Sequence, residues 1–394
     1  MQQAQEGFLL IADITGYTAF LRESELEHAK DSLRSLLDLL IEQTKPPLRI
    51  SRLEGDAVIS YALEGSFQKG QTLVELIEET YVEFRRALDL MVLNTSCNCL
   101  ACRNIANLDL KFFVHYGTFV LEPLHTYLEL VGSDVNILHR LTKNSVTKMT
   151  GMHAYVLYTQ AAIDQLKIPE MIPELAVHVE SFADVGEIIT YLMDMHPVWE
   201  SRKHRYHKEV KPEQAIFIFE RKFKVSPTVA WEYVTNPKYR ALIYGSDKQE
   251  LKRLKKGRIS DGSVYICSHG KNLIQQTIVD WHPFKQYTIT NNTPGGGTAM
   301  NTIRIQLEPD GTRVILLASR IEGGSPIMRG FMNTIGKKRF LASSEQGFNR
   351  LGQLIEDDIA DDALHSDEAG KIAIEQIEEA VIQSLLGDRP GANE

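Results

Sequence analysis

Residues 8–14, Phe-Leu-Leu-Ile-Ala-Asp-Ile, are an apolar run broken by one acid, Asp13, and they pass directly into Thr15-Gly16-Tyr17-Thr18 and an amphipathic segment. A short apolar run of this kind reads as a buried strand. It constrains the fold more than any other stretch, because such a strand needs cover. Its lone carboxylate must also meet water, a turn or a ligand where the strand ends.

The segments that follow provide that cover. Ser24 and Glu27 have capping-box spacing ahead of a long helix. That helix places Leu33, Leu36, Leu37, Leu40 and Ile41 on one face, and Pro46 and Pro47 end it. Two strand-like runs in residues 48–63 flank Gly55-Asp56, which reads as a hairpin tip. A second helix carries Ile77, Tyr81, Phe84 and Leu88 on one stripe, and the next run alternates with Leu108, Leu110, Phe112 and Val114 facing one way. Strand, loop and helix then continue, so residues 1–195 read as one α+β unit.

A chain of 394 residues is too long for one ordinary core, and a second unit is expected. Residues 196–212 are polar and basic and read as a solvated linker. Residues 213–355 start afresh with a strand, a helix whose N-cap is Ser226 followed by Pro227, several strands with a hairpin at Asp310-Gly311, and a closing helix carrying Phe348, Leu351 and Ile355. Residues 356–394 form an acidic tail with one short amphipathic segment. The net charge of −9 disfavours nucleic acid as a partner. No run is long and apolar enough to span a bilayer, and the N-terminus lacks a signal-peptide pattern, so a cytoplasmic location is expected.

Asp13 at a strand end and Asp56 at a hairpin tip, both beside small residues, are hard oxygen donors of the kind Mg²⁺ takes when phosphates complete its shell. Either acid could equally be a turn residue. Asn136 and Arg140, four apart at the start of a helix, share one face. An Asn can orient a sugar or base, and an Arg can offset charge on a phosphoryl group. The Gly-rich stretch at 294–297 lacks the Lys-Ser/Thr of a P-loop and reads as a turn. Cys97, Cys99 and Cys102 lie within six residues. Three thiolates so close can hold zinc with a fourth ligand such as His115, His139 or a partner's thiolate; they also fit a redox-sensitive loop or plain reduced thiols.

Taken in order, ADITGYT, RLEGDAV, HYGTFV and GSDVNILHRL resemble the motifs of class III nucleotidyl cyclases across roughly residues 7–195. The resemblance implies a ferredoxin-like βαββαβ core. It also implies two Mg²⁺ or Mn²⁺ ions on Asp13 and Asp56, with Asn136 on the ribose and Arg140 on the α-phosphate of a nucleoside triphosphate. The reaction would yield a 3′,5′-cyclic nucleotide and pyrophosphate in a homodimer with two shared sites. The base-reading positions hold Arg52 and Glu129, whose charge signs match those of adenine readers while their shapes differ, so ATP is the first expectation. A nucleotide-binding or dimerisation scaffold without turnover is the alternative. Residues 213–355 resemble an SRPBCC (START-like) helix-grip domain, which implies a curved antiparallel sheet around a long helix and a cavity for a lipid or other hydrophobic small molecule. Trp281, Phe284, Tyr287 and Phe331 are candidates to line it, although aromatics at such positions are more often core.

Overall fold

The computed structural model describes residues 4–358 apart from 23–25, 45–46, 68, 95–103, 125–126, 271 and 294. Strand β1 (Gln5–Thr15) is buried without a break from Gly7 to Ala12. Phe8, Leu10, Ala12 and Ile14 enter one core, and Leu9 and Ile11 enter another on the opposite face. A strand covered on both faces has no solvent side, which is why its sequence is a continuous apolar run.

Next come α1 (Tyr17–Arg22), α2 (Leu26–Thr44), the hairpin β2 (Arg49–Glu54) and β3 (Ala57–Leu63), and α3 (Gly70–Asn94). Then follow β4 (Asp109–Leu124), β5 (Tyr127–Val131), α4 (Ser133–Leu141), α5 (Val146–Thr150), β6 (Tyr155–Thr159), α6 (Gln160–Leu166), β7 (Ala176–Phe182), β8 (Gly186–Asp194) and α7 (His196–Arg202). Leu33, Leu36 and Leu40 of α2 and Ile77, Tyr81, Phe84 and Leu88 of α3 pack with Leu108, Leu110, Phe112 and Val114 over one sheet face. Val135, Leu138 and Leu141 of α4 cover the other.

The expected ferredoxin-like class is corrected by the sheet itself. It has eight strands in the order β2-β3-β1-β4-β6-β8-β7, with β5 attached to β4. Strands β4 and β6 run parallel and their neighbours pair antiparallel, so the sheet is mixed and extends well past a βαββαβ core.

A second eight-stranded sheet runs β10-β11-β12-β13-β14-β15-β9 with β16 on β14. Its members are β9 (Ala215–Phe223), β10 (Lys248–Arg253), β11 (Val264–His269), β12 (Asn272–His282), β13 (Gln286–Asn292), β14 (Gly297–Glu308), β15 (Gly311–Ser319) and β16 (Glu322–Gly323). Helices α8 (Pro227–Thr235) and α9 (Pro237–Ile243) follow β9, and α10 (Pro326–Phe331) and α11 (337–358) follow the sheet. The Ser226 side chain accepts from the Val229 N–H, as an N-cap should. This sheet is antiparallel, but it is open: β10 and β9 are separate edges, and it does not curl. The curved-sheet SRPBCC expectation is therefore overturned.

Helix α3 joins the two parts. From Gln71 to Val82 every residue is buried, polar ones included, because the second unit covers the face that the first sheet leaves open. Glu75 accepts from the indole N–H groups of Trp231 (3.2 Å) and Trp281 (2.7 Å). Glu78 accepts from both terminal nitrogens of Arg258 (2.7 and 2.8 Å) and from Arg202 (2.5 Å). Arg202 also binds Glu79. The basic run expected to be a solvated connector is thus tied down by its charges: α7 buries Trp199, and Arg205 pairs with Asp261. The amphipathic tail segment lies outside the described residues.

Candidate active site

Antiparallel register places Asp13 opposite Ala57 of β3 and Lys111 of β4. The hairpin turns through Gly55 at φ +65°, and the Ile14 N–H donates to the Asp56 carbonyl at 3.2 Å. Asp13 and Asp56 therefore lie at the same end of the sheet, near enough for the charge of Asp56 to act on Asp13. Burial, and then the charge of Asp56, raise the Asp13 carboxyl to about 6, while Lys111 opposes the shift. Asp56 is also raised, chiefly by burial. The Lys111 ammonium lies over the Tyr155 ring, 5.3 Å from its centroid. Sequence reasoning missed Lys111, since only strand register puts it beside the acids.

Glycine shapes the approach at two points. Gly16, at φ +88°, turns the chain sharply after β1. At Gly117 a Cβ would come within 2.4 Å of the Asp134 carboxyl carbon. That carboxylate accepts from the Thr118 N–H at 2.7 Å and lies 3.2 Å from Nε2 of His115. Asp134 thereby pins the first turn of α4 to β4 and sets the direction in which Asn136 and Arg140 project.

Asn136 is exposed on α4. Arg140, one turn on, gives its Nε (2.9 Å) and a terminal nitrogen (2.5 Å) to Asp184 in the β7–β8 turn. Among the described residues, no hydrogen bond or ion pair joins Asp13 or Asp56 to Asn136 or Arg140. Arg52 of β2 and Glu129 of β5 form an ion pair with each other, and His139 of α4 lies 3.3 Å from the same guanidinium. The two predicted base-reading groups are thus brought together, each engaged by the other.

The metal expectations are corrected here. Among the described residues, no group of three or more His, Cys, Asp or Glu is placed to hold a metal ion. The acid pair has two carboxylates and a lysine facing them, which does not make the donor set expected for two Mg²⁺ or Mn²⁺ ions. The zinc expectation rests on three cysteines. Cys97, Cys99 and Cys102 lie outside the described residues. Of the proposed fourth ligands, His115 is buried with Nδ1 2.8 Å from the Thr159 hydroxyl, and His139 faces Arg52 and Glu54.

In the second unit a cavity of about 460 Å³ is lined by Ile216, Phe217, Ile274, Ile321 and Phe340 together with polar residues such as Asn301. The aromatics named from the sequence do not line it. Trp281 and Tyr287 are core, Phe284 packs against both cores, and Phe331 is exposed.

Residues 33–150 match the family model described as "Protein of unknown function (DUF2652)". An uncharacterized protein, Rv2561/Rv2562 of Mycobacterium tuberculosis, is 26% identical over 164 residues, which is 41% of this chain and 73% of that protein. Among solved structures, the chain is similar to the adenylyl cyclase CyaB of P. aeruginosa at 15% identity and a TM-score of 0.37, over 49% of this chain and 95% of the other. It is likewise similar to the guanylyl cyclase Cya2 at 12% identity and a TM-score of 0.37, over 48% of this chain and 92% of the other. These are weak fold likenesses to nucleotidyl cyclases over about half the chain. No helix among the described residues is long and apolar enough to cross a membrane.

Proposed function

We propose that the N-terminal unit, residues 1–195, is a nucleoside-triphosphate site that closes its substrate to a 3′,5′-cyclic nucleotide, with ATP the first candidate. The observation that carries this reading is the placement of Asp13 and Asp56 at the same end of the sheet, beside Lys111. In the reaction the ribose 3′-oxygen forms a bond to the α-phosphorus. The bond from that phosphorus to the β-bridging oxygen breaks, and pyrophosphate leaves with the electron pair. The 3′-hydroxyl proton goes to the Asp13 carboxylate, whose value of about 6 suits a base working near neutrality. Lys111 and Arg140 offset phosphate charge, and Asn136 orients the ribose. Because no bond joins the acids to Asn136 and Arg140 within one chain, a homodimer in which each copy completes the other's site fits this reading. Arg140 would exchange Asp184 for the phosphate, and Arg52 and Glu129 would open to the base.

The test is incubation of the full chain with ATP, GTP, CTP and UTP as their magnesium salts, with chromatography of the products. Cyclic nucleotide and pyrophosphate in equal amounts, lost in Asp13→Asn and Arg140→Ala, are the expected result. A second reading, a nucleotide-binding or dimerisation scaffold without turnover, is favoured by the closed Arg52–Glu129 pair. It predicts a nucleotide-dependent rise in melting temperature with no product. For the second unit, the cavity of about 460 Å³ supports a hydrophobic small molecule or lipid as ligand.

A further inference from the structure

The helical run that begins at Pro326 carries an apolar face that neither candidate site uses. Ile327 is 86% exposed, Ile335 50% and Phe331 44%, while Met328, at 37%, packs beside Gly295. Ile327, Phe331 and Ile335 are four residues apart, so they line one side of α10 and of the turn that follows it, Met332–Gly336. Thr334, the polar residue among them, turns its hydroxyl back onto the carbonyls of Gly330 (2.8 Å) and Phe331 (3.1 Å). The other side of the run faces inward, where Met332, Asn333, Gly336 and Phe340 line the cavity of the second unit. Single exposed apolar side chains are ordinary, but four within nine residues make a patch without a partner.

The rim of this patch is cationic. Residues 320–340 hold Arg320, Arg329, Lys337, Lys338 and Arg339 against one acid, the exposed Glu322, in a chain whose net charge is −9. Among the described residues none of these five cations enters an ion pair, and Arg329 donates only to the Gly323 carbonyl, at 3.5 Å. The loop 293–297, whose Gly295 carbonyl accepts from the Ser325 N–H, carries no charge. The next acid along α11 is Glu345. The cavity behind the run has Lys337, Arg339 and His269 in its lining and no carboxylate. A partner for this face must therefore be anionic and must also take up apolar side chains.

We propose that this face of the second unit docks on a lipid bilayer bearing anionic headgroups. Ile327, Phe331 and Ile335 enter the boundary between headgroups and acyl chains, and Arg329, Lys337, Lys338 and Arg339 meet the headgroup charges around them. A bilayer supplies the two chemistries in the layered order that a helix with one apolar side and a basic rim requires. A second copy pairing this face with itself would set cations against cations. The proposal rests on neither the nucleotide reading nor the ligand of the cavity.

The test is co-sedimentation of the full chain with vesicles of phosphatidylcholine alone and of phosphatidylcholine mixed with phosphatidylserine. Partition onto the mixed vesicles is expected to be about a hundredfold stronger, and to weaken as salt is raised. Lys338→Gln with Arg339→Gln should lower it about twentyfold. Phe331→Ser should lower it about tenfold, the loss of one inserted side chain. Leu307→Ser, an exposed leucine at the opposite end of β14 from the patch, should leave it unchanged. All these side chains lie at the surface, so the melting temperatures should match wild type. The proposal is overturned if the full chain does not sediment with the mixed vesicles, if both vesicle types bind it equally, or if the Lys338/Arg339 and Phe331 variants bind as wild type does. Binding only by a chain ended at residue 358 would overturn it in favour of the acidic tail as occupant. Self-association without lipid that Phe331→Ser abolishes, with no vesicle binding, would overturn it in favour of a second copy.

Discussion

Replacing Glu78 by Gln should break a buried, two-bond ionic contact between the two units. The carboxylate is fully buried, and burial alone would raise its pKa. The guanidinium groups of Arg258 and Arg202 outweigh that cost and hold it at about 2, against an ordinary value of 4.5. The difference of roughly 2.5 units corresponds to about 3 kcal/mol of folded-state preference for the charged form. The group lies well away from solvent, so screening removes little of it. The folded value is depressed, so the stabilisation is present above pH 4.5 and is lost as pH falls from 4.5 towards 2. Removing the carboxylate also leaves two buried guanidinium groups short of a partner, which in other buried pairs costs about 3–5 kcal/mol. Urea unfolding at pH 7, followed by tryptophan fluorescence, reads the second unit through Trp231 and Trp281, which contact Glu75 one turn away on α3. Glu78→Gln should lower stability by about 3 kcal/mol and uncouple the unfolding of the two units. Glu78→Gln combined with Arg258→Met should recover part of the loss, since the uncompensated charge is then gone. A loss below about 1 kcal/mol in the single variant, or no loss of wild-type stability between pH 4.5 and 2, would refute the assignment of Glu78 as a buried charged anchor.

Other expectations follow from the same physics. Asp13→Asn should stabilise the fold at pH 7 by about 3 kcal/mol while abolishing ring closure. The Asp13 value is raised from 3.8 to about 6, so the benefit should fade as pH falls below 6 and vanish below 3.8; thermal melts across that range check it. Arg240 is fully buried, donates to Gln249 (3.0 Å), Tyr287 (2.7 Å) and Gln276 (2.9 Å), and stacks 4.1 Å from the Tyr265 ring centroid. Arg240→Met should cost about 3 kcal/mol in urea unfolding, and Arg240→Lys should not restore it, because an ammonium cannot span three acceptors in one plane.

The parts of the fold that repeat within a few residues were legible from the sequence. The stripe Ile77-Tyr81-Phe84-Leu88 and the alternation Leu108-Leu110-Phe112-Val114 report which faces are buried, because helix and strand geometry ties spacing to direction. The Gly55-Asp56 turn and the Ser226 cap are equally local. The fold class was misread because the run β6-β8-β7 extends the first sheet through a parallel pairing that no short-range pattern announces. The basic stretch at 196–212 was misread for a similar reason: its charges look solvated until Glu78, Glu79 and Asp261 arrive from distant segments.

By itself, the sequence determined that residues 8–14 form a buried strand carrying Asp13, that Asp56 tops a hairpin, and that Asn136 and Arg140 share a helix face. These follow from periodicity and turn chemistry, which act over single turns and pairs. Only the tertiary structure decided what those side chains meet. Register across β1 and β4 set Lys111 against the acids, the β7–β8 turn brought Asp184 to Arg140, and the β2 and β5 strands closed Arg52 on Glu129. The partners of a charge are chosen by which distant strands become neighbours, and that choice belongs to the packing of the whole chain.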